Sequence, residues 1–264
     1  MRDLGSRLSE ILPAEDRTAE EKACFVRLMR IFLDLEPPPD PFGLFPKYAE
    51  YKHSFQEIVD AGDGDTGNGD AADGDALEEA FLTLYCHLHG HEAPYTSDER
   101  RLVDQTGGYW CHAGGISPLL KAEQFICPQT VSADFGAGNG LQGLLLQKLY
   151  PHKKTIQIEI SGRMVEAGRH LQQWLGILPE RVEWIAGDVC DVVPRDMDFI
   201  YLYRPLRPEG KGRVFYEQFA RTLESQNRRV VIFSIADCLR QFLSPRFEVF
   251  YSDGHLTCFR GGGT

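Results

Sequence analysis

The chain has 264 residues, 42% of them hydrophobic, and a formal net charge of −11, enough apolar material for one large core or two smaller ones. No apolar run reaches the ~18–20 residues that cross a bilayer, the start MRDLGSRLSEILPAED lacks the apolar stretch of a secretory signal, and the seven cysteines are scattered rather than set out as a disulfide or zinc framework. The expectation is a cytoplasmic protein with reduced thiols, no membrane contact and no metal; the lack of a Lys/Arg block favours a small-molecule partner over nucleic acid.

Residues 1–59 read as helices. In Glu20–Leu35 the side chains of Ala23, Val26, Leu28, Ile31, Phe32 and Leu35 fall largely on one side, and Pro37-Pro38-Pro39-Asp40-Pro41 stops the helix. A second helix is expected over Tyr48–Val59. The stretch 60–76 is Gly/Asp-rich, with eight acids and no Lys or Arg between Asp60 and Glu79. It cannot bury apolar surface, so a disordered loop is expected. It is not an EF-hand: counting from Asp63, the twelfth place holds Gly74 where calcium needs a bidentate Glu. Ala76–Leu88 is helical and runs into Cys86–His91, CHLHGH. His87 and His91 have one-turn spacing, but histidines at a helix C-terminus, favoured by its dipole, explain them without a metal. Ser97–Gln105 reads as a helix capped by Ser97. Gly107-Gly108 and Gly114-Gly115 then bracket Tyr109, Trp110, Cys111 and His112. That pattern suits a loop closing over a pocket, or a tight connection anchored by its aromatic rings. Ser117–Ile126 is expected to be helical.

From Thr130 strands and helices alternate. The strand that begins at Val131 leads through a glycine turn into a Leu-rich helix ending near Tyr150. Strand Thr155–Ile160 precedes helix Arg163–Leu175, capped by Ser161. Strands Arg181–Ala186 and Asp198–Tyr203 follow, then helix Gly212–Glu224, strand Arg229–Ile235 and a short helix Ala236–Leu243. Strands Phe247–Tyr251 and His255–Phe259 flank the turn Ser252-Asp253-Gly254, a hairpin signal. Alternation implies a parallel sheet with right-handed crossovers, and the hairpin puts an antiparallel strand into it. The organisation expected is a helical N-terminal region, 1–105, and an α/β domain, 106–264. Its sheet is seven-stranded, Rossmann-like and mostly parallel, with a C-terminal antiparallel hairpin.

Such sheets bind ligands beyond the carboxyl ends of their strands. Strand one ends in Asp134-Phe135-Gly136-Ala137-Gly138-Asn139-Gly140, strand two in Glu159 and strand three in Gly187-Asp188. Alternate glycines permit positive φ and bring the backbone under a ligand, where the next helix aims its free N–H groups. Gly138, Gly140 and Gly143 also fit the dinucleotide pattern G-x-G-x-x-G, so NAD is an alternative. A pyrophosphate, however, has no use for the carboxylate of Asp134. Glu159 can accept both hydroxyls of a ribose, and Asp188 can accept an adenine amino group.

The D-x-G-x-G-x-G run, the segment EIS…M…AGR…LG after strand two, RVEWIAGD and the closing hairpin resemble class I S-adenosylmethionine-dependent methyltransferases. The likeness runs from Thr130 to the C-terminus. It implies that Gly136, Ala137, Gly138 and Gly140 wrap the amino-acid end of S-adenosylmethionine. Asp134 would help hold its ammonium, directly or through water. Glu159 would hold the ribose, Ile160 would pack on the adenine, and Asp188 with the Val189 amide would read it. The activity implied is direct methyl displacement onto a small or medium acceptor; the alternatives are an NAD-dependent oxidoreductase and a non-catalytic S-adenosylmethionine-binding protein. After strand four the chain departs from the N/D-P-P-Y/F motif of amino-group methyltransferases. It reads Tyr203-Arg204-Pro205-Leu206-Arg207, which argues against a base or glutamine amide as acceptor. Tyr109, His112, Tyr203 and Arg204 are the candidate acceptor-binding residues. Arg204 and Arg207 suit a carboxylate or phosphate, or Arg204 an acid of the fold itself. His112 and His255 are candidate bases.

Overall fold

A computed structural model describes residues 18–36, 45–62, 70–90, 95–109, 115–193, 195–226 and 228–261. The chain divides into two compact units, Met1–Glu92 and Ala93–Thr264.

The first unit contains helices α1 (Ala19–Leu33), α2 (Phe45–Gly62) and α3 (Asp70–Gly90). A capping box between Thr18 and Glu21 starts α1. The core of this unit gathers around Phe81 of α3. Its ring lies 5.5 Å from that of Phe25, 5.8 Å from Phe32 and 5.9 Å from Tyr51. The Tyr51 hydroxyl reaches the Met29 carbonyl at 2.9 Å, satisfying a buried polar group that a three-helix core could not otherwise hold. The Gly/Asp stretch is helical at both ends, because α2 reaches Gly62 and α3 starts at Asp70. Acids suit the start of a helix, and Ala71, Ala72 and Ala76 extend it. Residues 63–69, the proline run from Pro37 to Pro41, and His91 lie outside the described residues.

In the second unit, α4 (Ser97–Thr106) is capped by Thr96 rather than Ser97. Glu99 N–H donates to Thr96 Oγ1 at 3.1 Å and Thr96 N–H to Glu99 Oε2 at 2.7 Å, a reciprocal box that the serine one place later cannot form. Helix α5 (Ser117–Lys121) is short, and a 3-10 turn, Glu123–Phe125, completes the expected segment.

The sheet then forms from β1 (Val131–Phe135), β2 (Lys154–Glu159), β3 (Val182–Ala186), β4 (Phe199–Tyr203), β5 (Val230–Ile235), β6 (Glu248–Ser252) and β7 (Leu256–Gly261). Its order is β3-β2-β1-β4-β5-β7-β6. The first five strands run parallel, and β7 lies antiparallel between β5 and β6. Helices α6 (Leu141–Leu149), α7 (Gly162–Trp174) and α8 (Gly210–Ser225) are the crossovers. Right-handed connections put α6 and α7 on one face and α8 on the other. Alternate strand residues serve the two faces. Phe135 meets Phe219 of α8 edge-on at 5.1 Å, whereas Phe233 meets Phe125 at 5.8 Å on the opposite side.

Besides the β6–β7 hairpin, two connections lack an α-helix among the described residues. Ala236–Leu243 is a series of turns, not the expected helix. Ala236 already has φ of 50°, outside the right-handed region, and Leu239 and Phe242 are drawn inward separately, Phe242 stacking on Tyr216 at 5.4 Å. Among its described residues the link from β3 to β4 holds a single 3-10 turn, Val189–Asp191. A groove of about 280 Å³ remains beside it, lined by Val192, Val193, Phe215 and Phe219 among others.

Candidate functional site

The carboxyl ends of β1, β2 and β3 meet along one edge. After Phe135 the chain turns through Gly136, Gly138 and Gly140 with φ of 79°, 58° and 69°. These left-handed angles are costly for any residue with a Cβ, so the alternate glycines are a backbone requirement. The Gly136 and Ala137 N–H groups both donate to the Ile158 carbonyl at 2.9 Å, tying the loop to β2. Side chains beneath it explain the individual positions. A Cβ on Gly140 would overlap the Trp184 ring, one on Gly143 would overlap the Gln157 amide, and one on Gly136 would lie 2.9 Å from Pro205 Cβ. Gly143 therefore lets α6 settle onto β2, a need that exists with any ligand or none.

Two carboxyl groups support this loop from inside. Asp134 is 3% exposed and accepts the Gly143 N–H at the start of α6. Burial and the neighbouring Glu159 push its pKa up to about 8. Glu159 is 4% exposed and accepts from Gly138 N–H at 2.8 Å and Ser161 N–H at 2.9 Å. Burial pushes it up to about 7 in spite of those bonds, and Glu99 adds to the rise. Among the described residues, neither Asp134 nor Glu159 has a lysine or arginine as an ion-pair partner. Both oxygens of Glu159 are engaged by backbone, and the Ile160 N–H is a third donor to the carboxylate.

Glu99 is a site residue that sequence reasoning missed. Its Oε1 accepts from Ser161 Oγ at 2.7 Å and, at 3.5 Å, from the Arg163 N–H, so α4 is fastened to the start of α7 beside Glu159. Burial works against its charge, but bonds from Thr96, Ser161 and Arg163 hold its pKa below the usual carboxylate value. The signal present in the sequence was T-x-x-E, which explains the cap and gives no hint of the distant partner.

At the end of β3, Gly187 N–H donates to the Glu159 carbonyl at 2.9 Å, which brings Asp188 alongside β2. Asp188 caps the following turn through Cys190 N–H at 2.9 Å and is half-buried; Val189 is buried and Ile160 half-buried. Asp134, Glu159 and Asp188 thus lie at or just beyond the carboxyl ends of three adjacent strands.

No family model matches this chain, and neither does any curated protein. Solved structures do. TrmN from Thermus thermophilus is 19% identical with a TM-score of 0.41, over 55% of this chain and 46% of that one. The YcgJ protein from Bacillus subtilis is 21% identical with a TM-score of 0.36, over 45% and 49%. An rRNA methylase from Streptococcus thermophilus is 15% identical with a TM-score of 0.39, over 53% and 91%. The chain spans about half the length of the first two. Likeness at this level leaves the chemistry to the site itself.

Beyond the glycine loop the rim continues along β4 and β5. Tyr203 and His255 meet edge-on at 6.3 Å. Arg204 has φ of 38° and lies over the Tyr109 ring at 4.5 Å, with Arg207 over the same ring at 5.6 Å. Arg204 thus meets an aromatic ring where pairing with an acid of the fold was one expectation. Gly107–Tyr109 is also less free than a closing loop requires: Gly108 bridges Leu206, and Arg207 N–H donates to the Gly107 carbonyl at 2.9 Å. Trp110, Cys111, His112 and Gly114 lie outside the described residues.

Proposed function

We propose that the protein is an S-adenosylmethionine-dependent methyltransferase. The observation that carries this is the pair of buried carboxyls under a left-handed glycine loop, both raised in pKa and neither with an ion-pair partner among the described residues. Such a place gains when a positive ligand arrives and loses when a pyrophosphate does. S-adenosylmethionine brings a sulfonium and an ammonium; NAD brings two phosphates. S-adenosylmethionine supplies a methyl group already activated on sulfur.

The chain's contribution is binding and alignment. Gly136, Ala137, Gly138 and Gly140 would border the amino-acid end. Asp134, shielded by the loop, would act on the ammonium through its field or an intervening water. Glu159 would accept from the ribose hydroxyls. Ile160, Asp188 and the Val189 amide would meet the adenine. The acceptor would enter at the β4–β5 rim, where Tyr203 and His255 stand. The site lies in the cytoplasm on this reading, and no metal takes part.

Calorimetry tests the proposal. S-adenosylmethionine and S-adenosylhomocysteine should bind, and NAD should not; the reverse order sinks it. From pH 6 to pH 8 the affinity for S-adenosylmethionine should rise roughly fivefold as the two carboxyls ionise, and less for S-adenosylhomocysteine, which lacks the sulfonium. Turnover to S-adenosylhomocysteine with an acceptor separates an enzyme from a protein that only binds.

A further inference from the structure

We infer that Arg204 and Arg207, seated on Tyr109, form a clamp for an oxyanion of the methyl acceptor, so that the acceptor is a small carboxylate or phosphate ester. This rests on the methyl-transfer reading above and names its substrate class.

Position comes first. Arg204 follows the last residue of β4, the strand beside β1, and the next residue, Pro205, bears directly on Gly136 of the glycine loop. A group held by Arg204 is therefore close to the loop that would hold the methyl donor.

Charge is the second argument. The chain has 39 acids against 28 Lys and Arg, and its other arginines near carboxylates take them: Arg213 and Arg221 pair with Glu217, Arg228 with Asp198, Arg260 with Glu248. Arg204 and Arg207 pair with no carboxylate among the described residues and share one tyrosine ring instead. A ring stabilises a guanidinium but supplies no opposite charge and no in-plane acceptor, so the N–H fork stays available. Two guanidiniums on one ring, with no acid beside either, favour an anion that both can reach.

Backbone geometry is the third. Among the described residues Arg204 is one of three non-glycine residues with positive φ, and another, Ala236, stands at the matching end of β5. Strain of this kind survives where the surroundings impose it, which is common at binding sites. Here the ladder does so: Tyr109 N–H donates to the Pro205 carbonyl at 3.4 Å, and Gly108 bridges Leu206. Downstream, α8 has no acid in its first turn and carries Lys211 and Arg213 there, the reverse of what the helix dipole favours. The overall negative charge argues against a nucleic acid as the source of the anion.

The test uses the full chain. Calorimetry with S-adenosylhomocysteine first judges the methyl-transfer reading on its own. Phenyl phosphate, benzoate and the uncharged benzyl alcohol are then titrated into the wild type, Arg207→Gln and Arg204→Gln/Arg207→Gln. Phenyl phosphate or benzoate, but not benzyl alcohol, should bind the wild type, and the preferred one identifies the acceptor's anion. Its binding should weaken by roughly tenfold in the double variant and by less in Arg207→Gln, with S-adenosylhomocysteine affinity kept. Arg207 is exposed, so the single variant keeps the test open if the double variant misfolds. No anion binding to the wild type, or equal binding to all three proteins, overturns the clamp. A short single-stranded RNA that binds more tightly than phenyl phosphate and is lost with the same substitutions overturns the small acceptor. Anion binding without S-adenosylhomocysteine binding overturns the link to a methyl acceptor.

Discussion

Asp134 and Glu159 keep two carboxyl groups out of water on adjacent strands, and Asp134 holds its proton to about pH 8. A folded-state pKa above the unfolded value of about 3.9 means that the native protein binds more protons than the unfolded one. Stability from this source is complete below the unfolded value and is lost as the pH rises towards 8. Asp134→Asn keeps an oxygen for the Gly143 N–H and removes the charge. The variant should therefore gain several degrees of melting temperature over the wild type at pH 8.5 and little at pH 5, measured by ligand-free thermal unfolding. It should also bind S-adenosylmethionine more weakly at pH 8. A variant that melts lower than the wild type at pH 8.5 would show the carboxylate to be paired rather than isolated. Glu99 works in the other direction, since its partners hold its pKa down. Glu99→Gln should loosen the join to Ser161 and cost roughly 1 kcal/mol, read from denaturant unfolding.

At the scale of the element, the glycine turn is shaped by what lies beneath it. Helix α6 reaches β2 only because Gly143 leaves room for Gln157, whose Nε2 donates to the Gly140 carbonyl at 3.1 Å. Gly143→Ala should cost about 1–3 kcal/mol by overpacking. In Gly143→Ala/Gln157→Ala the space returns, so the double variant should cost less than the sum of the two single ones. Chemical denaturation of the four proteins measures the coupling; strict additivity would mean that the two residues do not contend for the same volume. The cofactor reading gains from this, because the third glycine of G-x-G-x-x-G is required by packing alone.

For the whole molecule, the two compact units have separate cores, one around Phe81 and one on the seven-stranded sheet. Scanning calorimetry should resolve two transitions. S-adenosylhomocysteine at 100 times its dissociation constant stabilises a binding unit by ~2.7 kcal/mol. For a unit of this size that should raise the sheet's transition by roughly 5–10 °C, leaving the helical transition in place. A shift of both by the same amount would mean one cooperative unit. Among the described residues no helix is long and apolar enough to cross a membrane.

Local signals in the chain determined the strands, their alternation with helices, the glycine turn and the three strand-end acids. Each depends on spacing or on backbone freedom that a few neighbouring residues set. The hairpin was legible for the same reason, through Gly254 at φ of 89°. Tertiary structure decided what required two distant segments. It turned Asp134 beneath the loop, gave Glu99 a partner 62 residues away, and placed both arginines on Tyr109. It also overrode the helical pattern of Ala236–Leu243, where Ala236 takes φ of 50°, Leu239 is buried and the half-buried Phe242 stacks on Tyr216. Burial and cross-chain pairing are properties of the packed sheet, and no window of sequence contains them.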